Sequence, residues 1–290
     1  MLLAHITDLH VARPEHYTSG EEAIWLPRIR KHTIEILRRM LDDLVYHRPD
    51  HVIVTGDLTQ TSKQEEFEEA AAILAEHLGD TPATVLPGNH DRWRREAVEG
   101  GWFEDAFRRW LRSDLPGEGF PLCHLRDEVA LVALDSSPFV PDLPPSEVPG
   151  HVSAAQLERL DRWSQRPELR DRFLVVALHH HLRLSAEDAA IADPKDDTPL
   201  RNAPEVEAAL GRTHVGLVLH GHRHRRMRLD LELGGRTVPV LCPGSGSRSD
   251  PRVERTAKYG LYRIEGGRLA EVRHRVWNPF AERVEELAAP

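Results

Sequence analysis

The chain has 290 residues, 40% hydrophobic and 29% charged, an ordinary balance for a soluble globular protein and enough length for one large α/β domain or two small ones. Its net charge of -9 argues against a general nucleic-acid binder, because phosphate backbones are held mainly by clustered Lys and Arg. No apolar run nears the roughly 20 residues of a membrane span, and the opening MLLAHITDLH lacks the segments of a secretory signal, so a cytoplasmic location is expected.

In chain order, short runs rich in Val, Ile and Leu occupy 2–7, 51–55, 83–87, 129–134, 173–178 and 215–219. They are continuous rather than alternating, which predicts strands buried on both faces. Between them, helical spacing predicts helices over 27–47, 62–78, 153–166 and 203–211, with Pro27, Ser62 and Ser153 placed where a helix start favours Pro or a hydroxyl cap. The aromatic segment 101–111 carries Trp102, Phe103, Phe107 and Trp110 and reads as a helix packed on its own domain, with a lipid-touching cap as the alternative. From about 227 the pattern changes to hairpin-connected antiparallel strands. The order predicts α/β layers with largely parallel pairing in the first half, in one domain spanning 1–290. Cys123 and Cys242 stand far apart, in no metal-ligand spacing, and read as plain buried or half-buried thiols.

The polar residues that end these runs are of one chemical kind. The runs end in TDLH, TGDL, PGNHD, HHH and HGHRH. In open α/β sheets ligands sit beyond the carboxyl ends of the strands, so five such ends bring Asp, Asn and His to one edge. Asp8 and His10 are two apart and would face the same way in an extended chain. Asp57 follows a buried strand, where an unpaired carboxylate is expensive to desolvate and a cation removes that cost. Gly88 is expected to let the backbone turn sharply before Asn89, which offers a neutral oxygen. Mixed imidazole, carboxylate and amide donors suit Mn, Fe or Zn better than Ca or Mg.

Taken together, DLH at 8–10, GD at 56–57, GNHD at 88–91, HHH at 179–181 and GHRH at 221–224 resemble the ordered blocks of the calcineurin-like metallophosphoesterases. The resemblance is closest to the class III cyclic-nucleotide phosphodiesterase branch and continues through 134–137, 150–160 and 199–210. It implies a four-layer α/β/β/α sandwich with two mixed sheets. It also implies two divalent metal ions, Mn or Fe foremost with Zn as the third choice, and hydrolysis of small-molecule phosphodiesters by a metal-bridging hydroxide.

By the same resemblance Asp8, His10 and His224 would hold one metal, Asn89, His179 and His222 the other, and Asp57 would bridge them. His180 is the alternative to His179, because relatives continue His-His-Pro where this chain has Leu182. His90 would assist the chemistry without binding metal, and His220 would be a neighbour of the site. The loops 11–28 and 182–203 are placed to frame the pocket, with Arg13, Trp25 and Arg201 as candidates to meet a phosphate or base. A nuclease, a phosphomonoesterase, a lipid-linked pyrophosphatase and a metal-stabilised scaffold are the competing readings. A homo-oligomer is compatible with the sequence.

Overall fold

Each apolar run forms a strand whose alternate side chains enter two different cores. The computed structural model describes residues 1–17, 21–141, 143–191 and 198–287. Its strands are β1 (Leu2–Ile6), β2 (His51–Thr55), β3 (Ala83–Leu86), β4 (Leu122–Arg126), β5 (Val129–Ala133), β6 (Phe173–Ala177), β7 (Val215–Leu219), β8 (Met227–Leu233), β9 (Arg236–Cys242), β10 (Lys258–Glu265), β11 (Arg268–Asn278) and β12 (Arg283–Glu286). They build two six-stranded mixed sheets, ordered β12-β11-β10-β1-β2-β3 and β4-β5-β6-β7-β9-β8. β1, β2 and β3 pair in parallel, as do β5, β6, β7 and β9. The strands after 227 divide between the sheets: β8 and β9 form a hairpin on the second, while β10, β11 and β12 extend the first.

The period of two accounts for the layers. On β2, Val52 and Val54 pack outward beneath the helices Ile34–Tyr46 and Gln64–Leu78, while Ile53 points between the sheets. On β6, Leu174 and Val176 face the helices Ala154–Ser164 and Ala203–Arg212, while Val175 and Ala177 meet Ile53 in the middle core. The result is the four-layer α/β/β/α sandwich. Strands buried on both faces lose the polar alternation of a half-exposed sheet, which is why their sequences read as unbroken apolar runs. Phe103, Phe107 and Trp110 are buried in the first outer core, so the 101–111 segment is core. Both thiols are free and buried.

Two helix starts differ from expectation. Pro27 opens only the short turn Leu26–Ile29, and the long helix begins at Thr33, whose hydroxyl accepts from the N–H of Ile36. The break arises because residues 31–33 are drawn to 247–249: Thr33 N–H donates to the Ser247 carbonyl at 3.0 Å and Ser249 N–H to that of Lys31 at 2.7 Å. Ser62 is not a cap either; its hydroxyl donates to the carbonyl of His90, and the helix starts after Lys63. Ser153 caps its helix as expected, accepting from Gln156 N–H.

Glu66 fastens the first loop to this scaffold. Its carboxylate accepts from the Tyr17 and Thr61 hydroxyls and from the N–H groups of Thr61 and Lys63. Burial nevertheless pushes its carboxyl up to about 7. A carboxyl raised in the folded state contributes stability that is present below its unfolded value of 4.5 and is lost as pH rises through about 7. Glu66→Gln keeps two acceptor bonds at its oxygen, and both hydroxyls can turn to accept from its amide. It is therefore expected to melt higher than wild type at pH 8, by an amount that shrinks toward pH 5. An equal melting difference at both pH values would show that the charge of Glu66 is not what matters.

Candidate metal centre

The loops that follow β1, β2, β3, β6 and β7 meet at one edge of the sandwich, and tight backbone geometry aims their side chains. Asp8, His10, Asp57, His222 and His224 all have left-handed φ, between 45° and 74°. Such conformations cost roughly 1–3 kcal/mol each for non-glycine residues and collect where function demands a side-chain direction. Asp8 and His10 therefore converge through left-handed turns beyond the strand end and not through strand alternation. His222 and His224 likewise lie beyond the end of β7.

Gly88 acts differently from expectation. Its φ of -105° and ψ of -179° are extended, open to any residue. What requires glycine is proximity: a Cβ there would lie 2.1 Å from Asp57 Oδ1 and 2.3 Å from Asp57 N. Asp91, for which the sequence suggests no role of its own, ties these loops together. Its Oδ1 accepts from the N–H and hydroxyl of Thr59 at 2.8 and 2.9 Å, and its Oδ2 from Gly88 N–H at 2.8 Å and Leu58 N–H at 3.1 Å.

The donor atoms fall into two groups around one carboxylate oxygen. Asp57 Oδ2 lies 3.5 Å from His10 Nε2 and 3.4 Å from His179 Nε2. On one side His10 Nε2 and His224 Nε2 are 2.8 Å apart, and His224 Nε2 is 3.3 Å from Asp8 Oδ1. Asp8, His10, Asp57 and His224 each place a donor atom within 4.8 Å of the others. On the other side Asn89 Oδ1 lies 2.8 Å from His179 Nε2 and 3.0 Å from His222 Nδ1.

Surrounding groups fix which atoms face inward. The Thr55 carbonyl can only accept, so at 2.7 Å it holds the proton on His179 Nδ1 and turns Nε2 to the centre. Asn89 Nδ2 donates to the Pro145 carbonyl at 3.0 Å, which directs its oxygen inward. His90 Nδ1 donates to the Gln60 carbonyl at 2.6 Å, and its backbone N–H donates to Asp57 Oδ1 at 2.9 Å. His180 instead sets its Nδ1 3.0 Å from the Ser136 hydroxyl, and His220 Nδ1 donates to the Gly221 carbonyl at 2.9 Å.

Charge at the centre favours a cation. Burial raises the Asp57 carboxyl, but its ion pair with His179 outweighs burial and holds Asp57 well below the carboxylate range. Burial lowers His10 and His222 well below their ordinary value and keeps both imidazoles neutral, as a metal ligand must be. For His179 burial also works downward, yet Asp57 overrides it and raises the ring to about 9, which puts a proton on Nε2 that a cation bound there would displace. With imidazole, carboxylate and amide donors turned inward on both sides of Asp57, these residues fit divalent metal ions.

The cavity over this centre encloses about 320 Å³, and His90, Gln60 and His32 line it beside the donors. The substrate contacts proposed from sequence are elsewhere. Arg13 is held by Glu69, with Nε 2.9 Å from Oε2; Trp25 packs edge-on to Trp93; and Arg201 is exposed, outside the cavity lining. Residues 18–20 and 192–197 of the two framing loops lie outside the described residues. His32 was missed by sequence reading. It stands 4.5 Å ring to ring from His10, with Nδ1 2.9 Å from the Ser247 hydroxyl, and only contact between distant segments reveals it.

The family model described as calcineurin-like phosphoesterase matches residues 1–226. A glycerophosphodiester phosphodiesterase GpdQ from Enterobacter lignolyticus is 25% identical over 187 residues, covering 62% of this chain and 56% of that protein. A probable cyclic nucleotide phosphodiesterase from Rhodococcus erythropolis is 28% identical over 236 residues, covering 77% of this chain and 64% of that one. The matches thus span less than two thirds of either relative. Among solved structures, the purple acid phosphatase PPD1 from yellow lupin (Lupinus luteus) seeds superposes with a TM-score of 0.61 at 10% identity, covering 98% of this chain and 52% of that one, a likeness of fold.

Proposed function

Because the chain belongs to the calcineurin-like phosphoesterase family, we propose that it is a dinuclear metal-dependent phosphodiesterase acting on small molecules. The observation that carries the proposal is Asp57 Oδ2, set almost equally between two groups of donors at 3.5 and 3.4 Å. In this reading Asp8, His10 and His224 would hold one ion, Asn89, His179 and His222 would hold the other, and Asp57 would be shared between them. His179 is preferred to His180 because its Nε2 lies against Asp57 and Asn89, whereas the His180 ring bonds to Ser136 and to neither of them. Mn and Fe suit the donor set best, and Zn also fits.

When bound, such ions supply Lewis-acid activation of the phosphoryl group and a water of lowered pKa. The protein's own residues do the rest. Asp57 and Asp8 balance the cations. His90 lines the cavity with its Nδ1 proton committed to the Gln60 carbonyl, so Nε2 carries the lone pair of the neutral ring and gives a proton to the departing oxygen only from the imidazolium, a form that burial disfavours and Asp57 favours. Among the described residues no helix is long and apolar enough to cross a membrane.

The test compares the Mn-loaded protein with its His90→Ala variant on bis(p-nitrophenyl) phosphate and on an alkyl phosphodiester. p-Nitrophenolate departs without an acid, so the variant is expected to lose on the order of 10²-fold on the alkyl ester, much less on the nitrophenyl ester, and to keep its metal. Loss of metal, or equal slowing on both esters, would remove His90 from the acid role. No hydrolysis of either ester by the loaded wild type would leave the scaffold reading.

A further inference from the structure

The cavity is more basic than a phosphodiester needs. In a chain of net charge -9, the five basic side chains Arg28, Lys31, Arg223, Arg225 and Arg248 line this one cavity, where Asp57 is the single lining carboxylate among the described residues. Lys31 and Arg225 are exposed where they line the cavity and form no ion pair among the described residues. Arg248 is only loosely paired. Its Nη2 stands 3.7 Å from Asp250, a carboxylate that Arg252 grips at 3.0 Å, and its Nε is buried without a hydrogen-bond partner. Burial works against its charge, and so do Arg255, Arg225 and Arg252, while Asp250 opposes them.

This basic wall is built, not frayed. His32 and Arg248 face each other in an antiparallel bridge, and the bonds from Thr33 to Ser247 and from Ser249 to Lys31 hold the two segments together. Arg223 and Arg225 come from the loop that also carries His222 and His224. The basic groups are thus fixed relative to the proposed metal ligands.

Exposed cations scattered over a surface are usually solvated singly, but cations gathered around one cavity repel one another until an anion enters. A phosphodiester brings one negative charge, which the centre itself would engage. We infer that the substrate carries a second phosphate, held by Lys31, Arg225 and Arg248 while the scissile phosphodiester lies over Asp57. The inference rests on the phosphodiesterase reading for the reaction, but the anion subsite is independent of it. A cavity of about 320 Å³ suits a small bisphosphorylated molecule.

Two measurements on the Mn-loaded full chain test it. The first compares kcat/KM for thymidine 5′-(p-nitrophenyl phosphate) with that for the same ester bearing a 3′-phosphate. The second measures binding of propane-1,3-diol bisphosphate against the monophosphate by calorimetry. The second phosphate is expected to raise both by about tenfold at low salt, the worth of one charge-assisted contact. In the Lys31→Ala/Arg225→Ala double variant both ratios are expected to fall to about one, with melting temperature as the check on folding. Equal use and equal binding by the wild type would overturn the inference, as would ratios that survive in the variant. If neither ester is hydrolysed but the bisphosphate still binds preferentially and the variant abolishes that preference, the subsite stands and the assigned reaction falls. A single-stranded oligonucleotide that displaces the bisphosphate at lower concentration would overturn the small-molecule assignment in favour of nucleic acid.

Discussion

Asp57→Asn is expected to lower phosphodiester turnover by on the order of 10³-fold or more, about 4 kcal/mol of transition-state stabilisation, and to reduce metal occupancy on both sides of the centre. The two carboxylate oxygens have separate tasks. Oδ1 accepts from His90 N–H at 2.9 Å, a bond that the Asn oxygen preserves. Its amide nitrogen then replaces Oδ2 and faces His10 Nε2 and His179 Nε2, where it offers no lone pair to a cation. Asp8→Asn is the comparison. Asp8 Oδ1 lies near His224, and both Asp8 oxygens also accept from His222 N–H at 3.0 and 3.2 Å, but neither is set between the two donor groups. Metal analysis of the purified variants should show Asp57→Asn depleted in both ions and Asp8→Asn in one. Loss of a single ion from Asp57→Asn would rule out bridging.

What could be read from the sequence was set by local rules, and what could not was set by distant contacts. The buried strands β1, β2, β3, β5, β6 and β7 end within a residue of the apolar runs, because burial on both faces keeps them mostly apolar, and the few polar side chains inside them pair with each other, His5 with Thr55 and His51 with Thr84. β4, LCHLR, was not foreseen; it is apolar at only three of its five positions and pairs antiparallel at the edge of its sheet. The blocks after the strands were legible because strand ends in a parallel sheet share an edge. The way their side chains converge was not, since left-handed φ at Asp8, His10, Asp57, His222 and His224 belongs to residues whose own preferences disfavour it. Helical spacing carried the first helix back to Pro27 because the pull of 247–249 on 31–33 lies more than 200 residues away in sequence. The same separation hid His32, Lys31 and Arg248 as cavity residues, whereas Arg13, chosen from the adjacent loop, is drawn off by Glu69.

Asp91→Ala is expected to damage stability as much as truncating a buried aromatic of the core, although Asp91 is polar and outside the proposed ligand set. The carboxylate satisfies three buried N–H groups and one hydroxyl, which belong to two loops on neighbouring strands β2 and β3. Alanine leaves the three N–H groups without an acceptor, at roughly 1–3 kcal/mol each, so a loss on the order of 3–6 kcal/mol is expected, comparable to the whole net stability of many domains. Asparagine does not rescue it. One of its two terminal atoms becomes a donor and opposes either Gly88 and Leu58 N–H or Thr59 N–H. Thermal melts should place both variants about 10 °C below wild type. Released from Asp91, the loops no longer hold Gly88 against Asp57, and the Asn89 oxygen loses its fixed distance from His179 and His222. Metal affinity should therefore fall even in molecules that remain folded at low temperature, although Asp91 itself touches none of the proposed ligand atoms. A variant that melted within about 2 °C of wild type and bound metal normally would show that the two loops are held by their strands alone.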